Sequence, residues 1–192
     1  MTTTAEPFIP DRPLLRGQMV WLRPAEERDI PAFVASVNDT EVGGWAGFPV
    51  PFSPDTVRAM IASVAEREKT GKIAAFTVCA LGSDAFIGSV WLRDINTLDG
   101  SAELAIFMDR DHLGAGWGSD AQRTLLAFAF GTLRLHRVQL GVNPENLRAV
   151  RSYEKVGFKL EARQRHAWIT RGKPADGLIM AILVHEFEMP EP

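Results

Sequence analysis

Hydrophobic and polar positions along the chain follow two periods, one typical of strands and one typical of helices. Alternating or continuous apolar runs predict strands at Val20–Arg23, Ile73–Leu81, Phe86–Leu92, Ala102–Met108, Arg137–Val142, Phe158–Ile169 and Gly177–Phe187. Helical spacing and capping residues predict helices that begin at Asp29 with Pro31 in the first turn, that run from Ser53 to near Gly71, and that cover Ala121–Leu133 and Asn146–Val156. Strands interleaved with helices predict a mixed α/β sheet.

Glycine and proline mark the turns and boundaries of this pattern. Gly82, Ser83 and Asp84 separate two strand-like runs and predict an antiparallel hairpin. The segment Gly43–Pro54 has too many breakers for regular structure and too many aromatic residues for a solvated loop, so we interpret it as a binding loop or lid. Residues 1–13 lack apolar periodicity and predict a loose lead-in to a single domain over residues 14–188.

Composition narrows the class of protein. At 192 residues and 46% hydrophobic content, the chain suffices for one packed core. Its net charge of −3 gives no overall attraction for nucleic acid, and its apolar runs fall short of the ~20 residues of a membrane span. The single cysteine, Cys79, is expected to be buried and inert, and it indicates the cytoplasm. The four histidines lack metal-ligand spacing, so no metal is expected.

The glycine-rich segment from Leu113 to Asp120 lies between a predicted strand and a predicted helix. Backbone N–H groups at a helix N-terminus converge on anions, so this position predicts a phosphate site. An ordinary glycine-rich turn is the alternative interpretation. The spacing excludes the Walker phosphate loop and the dinucleotide fingerprint, because neither the Gly-Lys-Ser/Thr ending nor the third glycine is present.

A second motif lies downstream, where Asn146 and Ala149 precede Tyr153-Glu154-Lys155-Val156-Gly157-Phe158. Together with Gly116 and Gly118, this segment resembles the GNAT superfamily of acyltransferases, most closely the RimJ/RimL-like branch, which acetylates primary amines including protein N-termini. The chain departs from the family where Leu113 stands at a Gln/Arg position. The resemblance implies a GNAT-like fold, with a mostly antiparallel central sheet and helices on both faces, and acetyl-CoA as co-substrate.

The resemblance also implies which residues contact the cofactor. The pyrophosphate loop corresponds to Leu113, Gly114, Ala115, Gly116, Trp117, Gly118 and Ser119. Contacts to the pantetheine arm correspond to the main chain of Ile106, Phe107 and Met108, and to Asn146 and Ala149. Asn146 could instead serve only as the cap of its helix.

Two side chains are candidates for proton chemistry. By the resemblance Tyr153, the only tyrosine, protonates or stabilises the departing thiolate; the alternative is a core aromatic with a locally satisfied hydroxyl. Glu103, a lone acid in an apolar strand, is the candidate proton acceptor for the attacking amine. Its alternatives are a solvent-facing position or a partnership with an arginine.

These residues predict an acetyl-CoA-dependent N-acetyltransferase in which the amine attacks directly in a ternary complex, without a covalent enzyme intermediate. The acceptor is either a peptide N-terminus or a small-molecule amine. Another donor such as succinyl-CoA, and a non-catalytic acyl-CoA-binding sensor, are the alternatives. Dimerisation is common in similar proteins, so a homodimer is an open expectation. The aromatic residues that could line an acceptor pocket or the core are Trp45, Phe48, Phe52, Trp91, His166 and Trp168.

Overall fold

A computed structural model describes residues 15–47, 51–170 and 172–190. The strands of the sheet are β1 (Val20–Arg23), β2 (Ala74–Ala80), β3 (Phe86–Asn96), β4 (Ser101–Met108), β5 (Arg137–Val142), β6 (Lys159–Thr170) and β7 (Lys173–Leu183). The helices are α1 (Ile30–Asn38), α2 (Val42–Ala46), α3 (Pro54–Glu68), α4 (Trp117–Ala127), which continues as a π-helical turn over Phe128–Thr132, and α5 (Leu147–Val156). The predicted alternation of strands and helices is therefore present.

The strands form one sheet in the order β1-β2-β3-β4-β5-β7-β6. Neighbouring strands are antiparallel except for β4 and β5, which are parallel. That parallel pair is short, because only Ser101–Glu103 pairs with Arg137–Gln139. The sheet therefore opens between β4 and β5 beyond Glu103. This architecture confirms the expected GNAT-like α/β class with a mostly antiparallel sheet.

Two hydrophobic clusters hold helices against the sheet. The larger cluster joins α4 and α5 to the strands and includes Leu125, Leu126 and Val156. The second joins α1 and α3 to β3 and β4, with Phe33 at its centre. The Phe33 ring packs edge-on against Phe107 with ring centroids 5.1 Å apart. Aromatic packing of this kind stabilises the second half of β4, which borders the opening.

Several element boundaries differ from the sequence expectation. Helix α4 begins at Trp117, earlier than Ala121, so part of the glycine-rich segment is helical. The expectation of irregular structure over Gly43–Pro54 was wrong where α2 reaches Ala46, and residues 48–50 lie outside the described residues. The glycines in this segment predicted irregular structure, but the turn that precedes α2 favours the helix. In this turn the Asp39 carboxylate accepts hydrogen bonds from the backbone N–H groups of Glu41 and Val42.

Asp29 takes a different role from the one that its position suggests. It stands at the N-cap of α1, but its side chain makes no capping hydrogen bond there. Instead its carboxylate accepts two hydrogen bonds from Arg23 at 2.7 and 2.8 Å and one from Thr77 Oγ1 at 3.0 Å. Arg23 and Asp29 are each 3% exposed. The Asp29 carboxylate is therefore held in an ion pair with the buried Arg23, and this pair links β1 to the start of α1.

Other expectations are tested only within the described residues. In these parts of the chain, no helix is long and apolar enough to cross a bilayer, and no group of His, Cys, Asp and Glu is arranged to hold a metal ion. Cys79 is fully buried, and burial raises the pKa of its thiol to about 11. The expected lead-in over residues 1–13 lies outside the described residues, and the single domain over residues 14–188 stays a prediction.

Candidate active site

A cavity of about 840 Å³ lies where β4 and β5 diverge. This volume is in the range of small-molecule sites. The cavity is bordered by the second half of β4, the end of β5, the glycine-rich segment and the facing sides of α4 and α5. The predicted site residues that line it are Glu103, Ile106, Phe107, Met108, Leu113, Gly114, Gly116, Gly118, Ser119, Asn146, Ala149 and Tyr153. Ala115 and Trp117 lie outside the lining, and the Trp117 ring contacts His112 instead.

The glycine-rich segment forms a turn that ends at the N-terminus of α4. Gly114 and Gly116 have φ angles of +80° and +95°, a region that favours glycine. Gly116 is the N-cap of α4, and Asp120 N donates to its carbonyl at 3.0 Å. The N–H groups of the first helical residues have no acceptor inside a helix, so they are available to an anion. This end of the cavity therefore has the backbone geometry with which helix N-termini bind phosphate in other proteins.

Asp120 anchors this helix end to β1. Its buried carboxylate accepts hydrogen bonds from the backbone N–H groups of Gln18, Met19 and Val20, at 3.1, 2.7 and 2.9 Å. A Cβ atom at Gly17 would lie 2.5 Å from Asp120 Oδ2, so the chain approaches α4 closely there. The N-terminal end of α4 is thus fixed to the sheet by Asp120, to which the sequence analysis gave no role.

Polar side chains also join α4 to α5 across the cavity wall. Gln122 Nε2 donates to Ser152 Oγ at 3.0 Å, and the Oγ atoms of Ser119 and Ser152 lie 3.0 Å apart. The Gln122 side chain is 2% exposed, and its Oε1 has no partner in the described residues. These hydrogen bonds connect the first turns of α4 to α5 at the cavity wall.

Tyr153 lies on α5, which Gly157 ends with a φ angle of +111°. Its ring is 8% exposed and packs against Phe158, with ring centroids 5.8 Å apart. The hydroxyl makes no hydrogen bond to another described residue, so the alternative of a locally satisfied hydroxyl is not observed. Burial raises the pKa of Tyr153 to about 12, so the group stays protonated at neutral pH.

Glu103 lies at the point where β4 leaves β5. Its carboxylate forms an ion pair with Arg93, its register partner on β3. Both side chains are partly exposed and line the cavity. The predicted alternative of an arginine partner is therefore observed, together with a position in the site. Since the strand rises about 3.3 Å per residue, Glu103 lies about 16 Å from Met108, the β4 residue nearest the glycine-rich segment.

Asn146 combines two roles. Its side-chain Oδ1 accepts from Ala149 N at 3.2 Å and caps α5, as the alternative interpretation expected. It also lines the cavity, where its NH₂ group is a potential donor. On the facing strand, the pairing of β4 with β5 ends at Glu103, so Ile106 has no register partner on β5. The main chain of Ile106 therefore faces the opening, where an extended ligand with amide groups would lie.

The cavity carries a local charge opposite to that of the whole chain. Its charged lining consists of Arg93, Glu103, Arg148, Arg151 and Lys155. Glu103 pairs with Arg93, and Glu41 pairs with Arg148 at 2.6 Å. No ion pair is formed by Arg151 or Lys155 within the described residues. The cavity wall on α5 is therefore positively charged, which favours a phosphorylated ligand despite the net charge of −3.

Tryptophans supply the apolar part of the lining. Trp45, Trp91 and Trp168 line the cavity, whereas Phe52 and His166 do not, and Phe48 lies outside the described residues. Trp168 rests on two glycines of neighbouring strands. A Cβ atom would lie 3.1 Å from its ring at Gly141 and 3.5 Å from it at Gly177. The missing side chains make room for the indole at this position.

Sequence reasoning missed Gln122, Ser152 and Arg93. Gln122 is followed by Arg123 and Thr124, so its sequence context does not mark it as buried, and its burial is visible only in the structure. Ser152 directly precedes Tyr153. Arg93 carries no comparable signal, because only the register of β3 against β4 brings it to Glu103.

Comparisons with known proteins agree with this geometry. A family model described as "Acetyltransferase (GNAT) domain" matches residues 20–159. "Probable N-acetyltransferase YjcK" of Bacillus subtilis is 28% identical over 177 residues, which cover 88% of this chain and 97% of that protein. The crystal structure of spermidine N-acetyltransferase from Vibrio cholerae in complex with CoA and spermine has a TM-score of 0.77 and 27% identity, and covers 87% of this chain and 96% of that one. Mycobacterium smegmatis RimJ in complex with CoA-disulfide has the same fold, with a TM-score of 0.77, 21% identity and coverage of 87% and 83%.

Proposed function

Since the chain belongs to the GNAT acetyltransferase family, we propose that it moves the acetyl group of acetyl-CoA to a primary amine by direct attack in a ternary complex. The family assignment makes the chain an acyltransferase that uses acetyl-CoA. The observation that carries the mechanism is the cavity itself, which joins an anion-binding helix end to an unpartnered tyrosine hydroxyl. A RimJ/RimL-like specificity for primary amines that include protein N-termini is part of this proposal.

Binding in this proposal is divided along the cavity. The N–H groups at the start of α4 hold the pyrophosphate, and the cationic side chains of Arg151 and Lys155 attract the phosphates. Asn146 and the main chain of Ile106 hold the amide-rich arm. The pyrophosphate and the arm of the acyl-CoA are thereby held in place, and positioning of this kind supplies a large part of an enzyme's rate enhancement.

Tyr153 stabilises the sulfur as the thioester breaks. An ordinary thiol has a pKa of about 8.5, so complete proton transfer from a phenol whose pKa is about 12 is uphill. Its hydroxyl therefore acts as a hydrogen-bond donor to the developing thiolate, because it has no other hydrogen-bond partner among the described residues. The CoA thiolate takes its proton from water as it leaves, so Tyr153 remains a neutral phenol.

Glu103 receives the amine. An amine must lose a proton to attack, and a carboxylate at the far end of the cavity attracts the ammonium form and accepts its proton directly or through water. The ion pair with Arg93 leaves the carboxylate in place but balances its charge. The acceptor end is therefore close to neutral, unlike a site built from several carboxylates for a polycation.

We propose an acceptor that carries its primary amine on an apolar or aromatic body. The support is that Trp45, Trp91 and Trp168 line the same cavity as Glu103, whose carboxylate is the only one among the described lining residues and is already paired with Arg93. Several relatives are named spermidine N(1)-acetyltransferase, for example that of Escherichia coli at 29% identity over 100 residues. A polyamine is therefore the alternative acceptor.

An acceptor panel tests this choice. We expect phenethylamine, or a peptide with an aromatic N-terminal residue, to be acetylated with a kcat/KM about tenfold or more above that of spermidine. Trp168→Ala should lower kcat/KM for the aromatic amine by about tenfold and leave the value for spermidine within about twofold. CoA release and mass spectrometry of the amine give both values. Spermidine as the best substrate, with no effect of Trp168→Ala on the aromatic amine, would overturn the acceptor proposal.

A further inference from the structure

A trio of side chains, the buried Ser119 and Gln122 and the half-buried Ser152, joins α4 to α5 beside the N-terminus of α4. Two of its members, Gln122 and Ser152, have no part in the reaction described above. Gln122 Nε2 donates to Ser152 Oγ at 3.0 Å, and Ser152 Oγ lies 3.0 Å from Ser119 Oγ. All three side chains line the cavity. The trio therefore connects the interior of α4 to the helix end that binds anions.

The hydrogens available allow one arrangement that leaves a donor for a ligand. Ser152 accepts from the Gln122 amide and has one hydroxyl hydrogen to donate to Ser119. When Ser119 accepts this hydrogen bond, it keeps its own hydroxyl hydrogen for a third group. Ser119 lies in the first turn of α4, where unpaired N–H groups attract an anion. Its free hydrogen is thus available to the same anion.

The orientation of the Gln122 amide decides whether this donor exists. Were the amide turned around, its Oε1 would accept from Ser152, Ser152 would accept from Ser119, and Ser119 would have no hydrogen left for a ligand. The structure has the first orientation, in which Nε2 donates to Ser152 and Oε1 has no partner among the described residues.

We propose that Gln122 and Ser152 are positioning residues that hold the Ser119 hydroxyl as a hydrogen-bond donor to the pyrophosphate of the acyl-CoA. The inference rests on the proposed function and deepens it by assigning two residues to phosphate recognition. Burial strengthens the effect, because hydrogen bonds in series polarise one another in a medium of low dielectric constant.

The first test separates the phosphates from the rest of the ligand. Gln122→Leu and Ser152→Ala should each raise the Kd for CoA and for ADP by about fivefold to tenfold in calorimetry, because both ligands carry a pyrophosphate. The affinity for acetyl-pantetheine, which lacks it, should stay within about twofold. The KM for acetyl-CoA should rise while kcat changes less than about twofold, since the lost interaction is uniform binding. Gln164→Leu, on the exposed strand β6, is the matched control and should leave the Kd for CoA unchanged.

A double-mutant cycle tests whether the trio acts through Ser119. Ser119→Ala should weaken CoA binding as Ser152→Ala does, and adding Ser152→Ala or Gln122→Leu to it should cost no further affinity. If Gln122→Leu does not fold, the two serine variants complete the cycle. Additive losses, or a fall in kcat with unchanged CoA affinity, would overturn the inference, the latter because Ser152 would then only support Tyr153. A wild-type protein that binds neither CoA nor ADP contradicts the proposed function itself, whereas equal CoA binding by wild type and variants contradicts this inference alone.

Discussion

Replacing Tyr153 with phenylalanine is expected to lower kcat by about 100-fold or more and to leave the affinity for acetyl-CoA within about twofold. The substitution removes only a hydroxyl that has no partner in the described residues and keeps the ring that packs against Phe158. Stabilisation of the departing thiolate is lost, whereas the groups that hold the cofactor are untouched. Steady-state kinetics and calorimetry with acetyl-CoA measure the two effects.

The pH profile supplies the control for this substitution. Because burial raises the pKa of Tyr153 to about 12, the wild-type enzyme should show no loss of kcat from tyrosine ionisation between about pH 7 and 10. The melting temperature of the variant should match that of the wild type, since no hydrogen bond is broken. Full turnover by the variant at every pH would contradict the role given to Tyr153.

Asp29→Asn is expected to lower the free energy of unfolding by about 3–5 kcal/mol, the usual cost of breaking a buried ion pair. The change leaves the buried Arg23 guanidinium with only the half-exposed Glu26 carboxylate, 4.0 Å away, as a counter-charge, and it weakens the hydrogen bond from Thr77. The matched control is Glu66→Gln in an exposed ion pair with Lys69, which should leave the unfolding midpoint nearly unchanged. Chemical denaturation at neutral pH measures both variants.

The effect of Asp29→Asn should depend on pH in a defined direction. Burial alone would raise the pKa of Asp29, but the hydrogen bonds from Arg23 and the other donors outweigh burial and lower it. A lowered pKa adds stability that is complete above the ordinary value of about 3.9 and is lost as the pH falls through the folded-state value. The difference between wild type and variant should therefore be largest near pH 7 and shrink below about pH 4. A constant difference down to pH 2 would contradict the ionised pair.

Local signals allowed part of the site to be predicted from the sequence. Helix α5 begins after its Asn146 cap and ends at Gly157, as expected, because caps and left-handed glycines act over a few residues. The glycine-rich segment before α4 was likewise visible, and the family resemblance is confirmed by the matching model. The roles of the individual site residues stay predictions.

Contacts between distant segments could not be predicted in this way. Arg93 reaches Glu103 only through strand register, and Arg23 draws Asp29 away from its cap position. The net charge of −3 did not predict the positively charged cavity wall on α5, because the summed charge of a chain contains no information about where the charges lie. Sequence patterns thus predicted elements and motifs, whereas pairing in three dimensions sets the electrostatics of the site.

A crystal structure of the protein with CoA tests the central claim most directly. The account predicts that the CoA lies between β4 and β5, with its pyrophosphate within hydrogen-bond distance of the N–H groups at the start of α4. It also predicts that the CoA sulfur lies within hydrogen-bond reach of the Tyr153 hydroxyl, about 3–4 Å away. CoA bound outside this cavity, or a sulfur far from Tyr153 while the pyrophosphate is in place, would contradict the account.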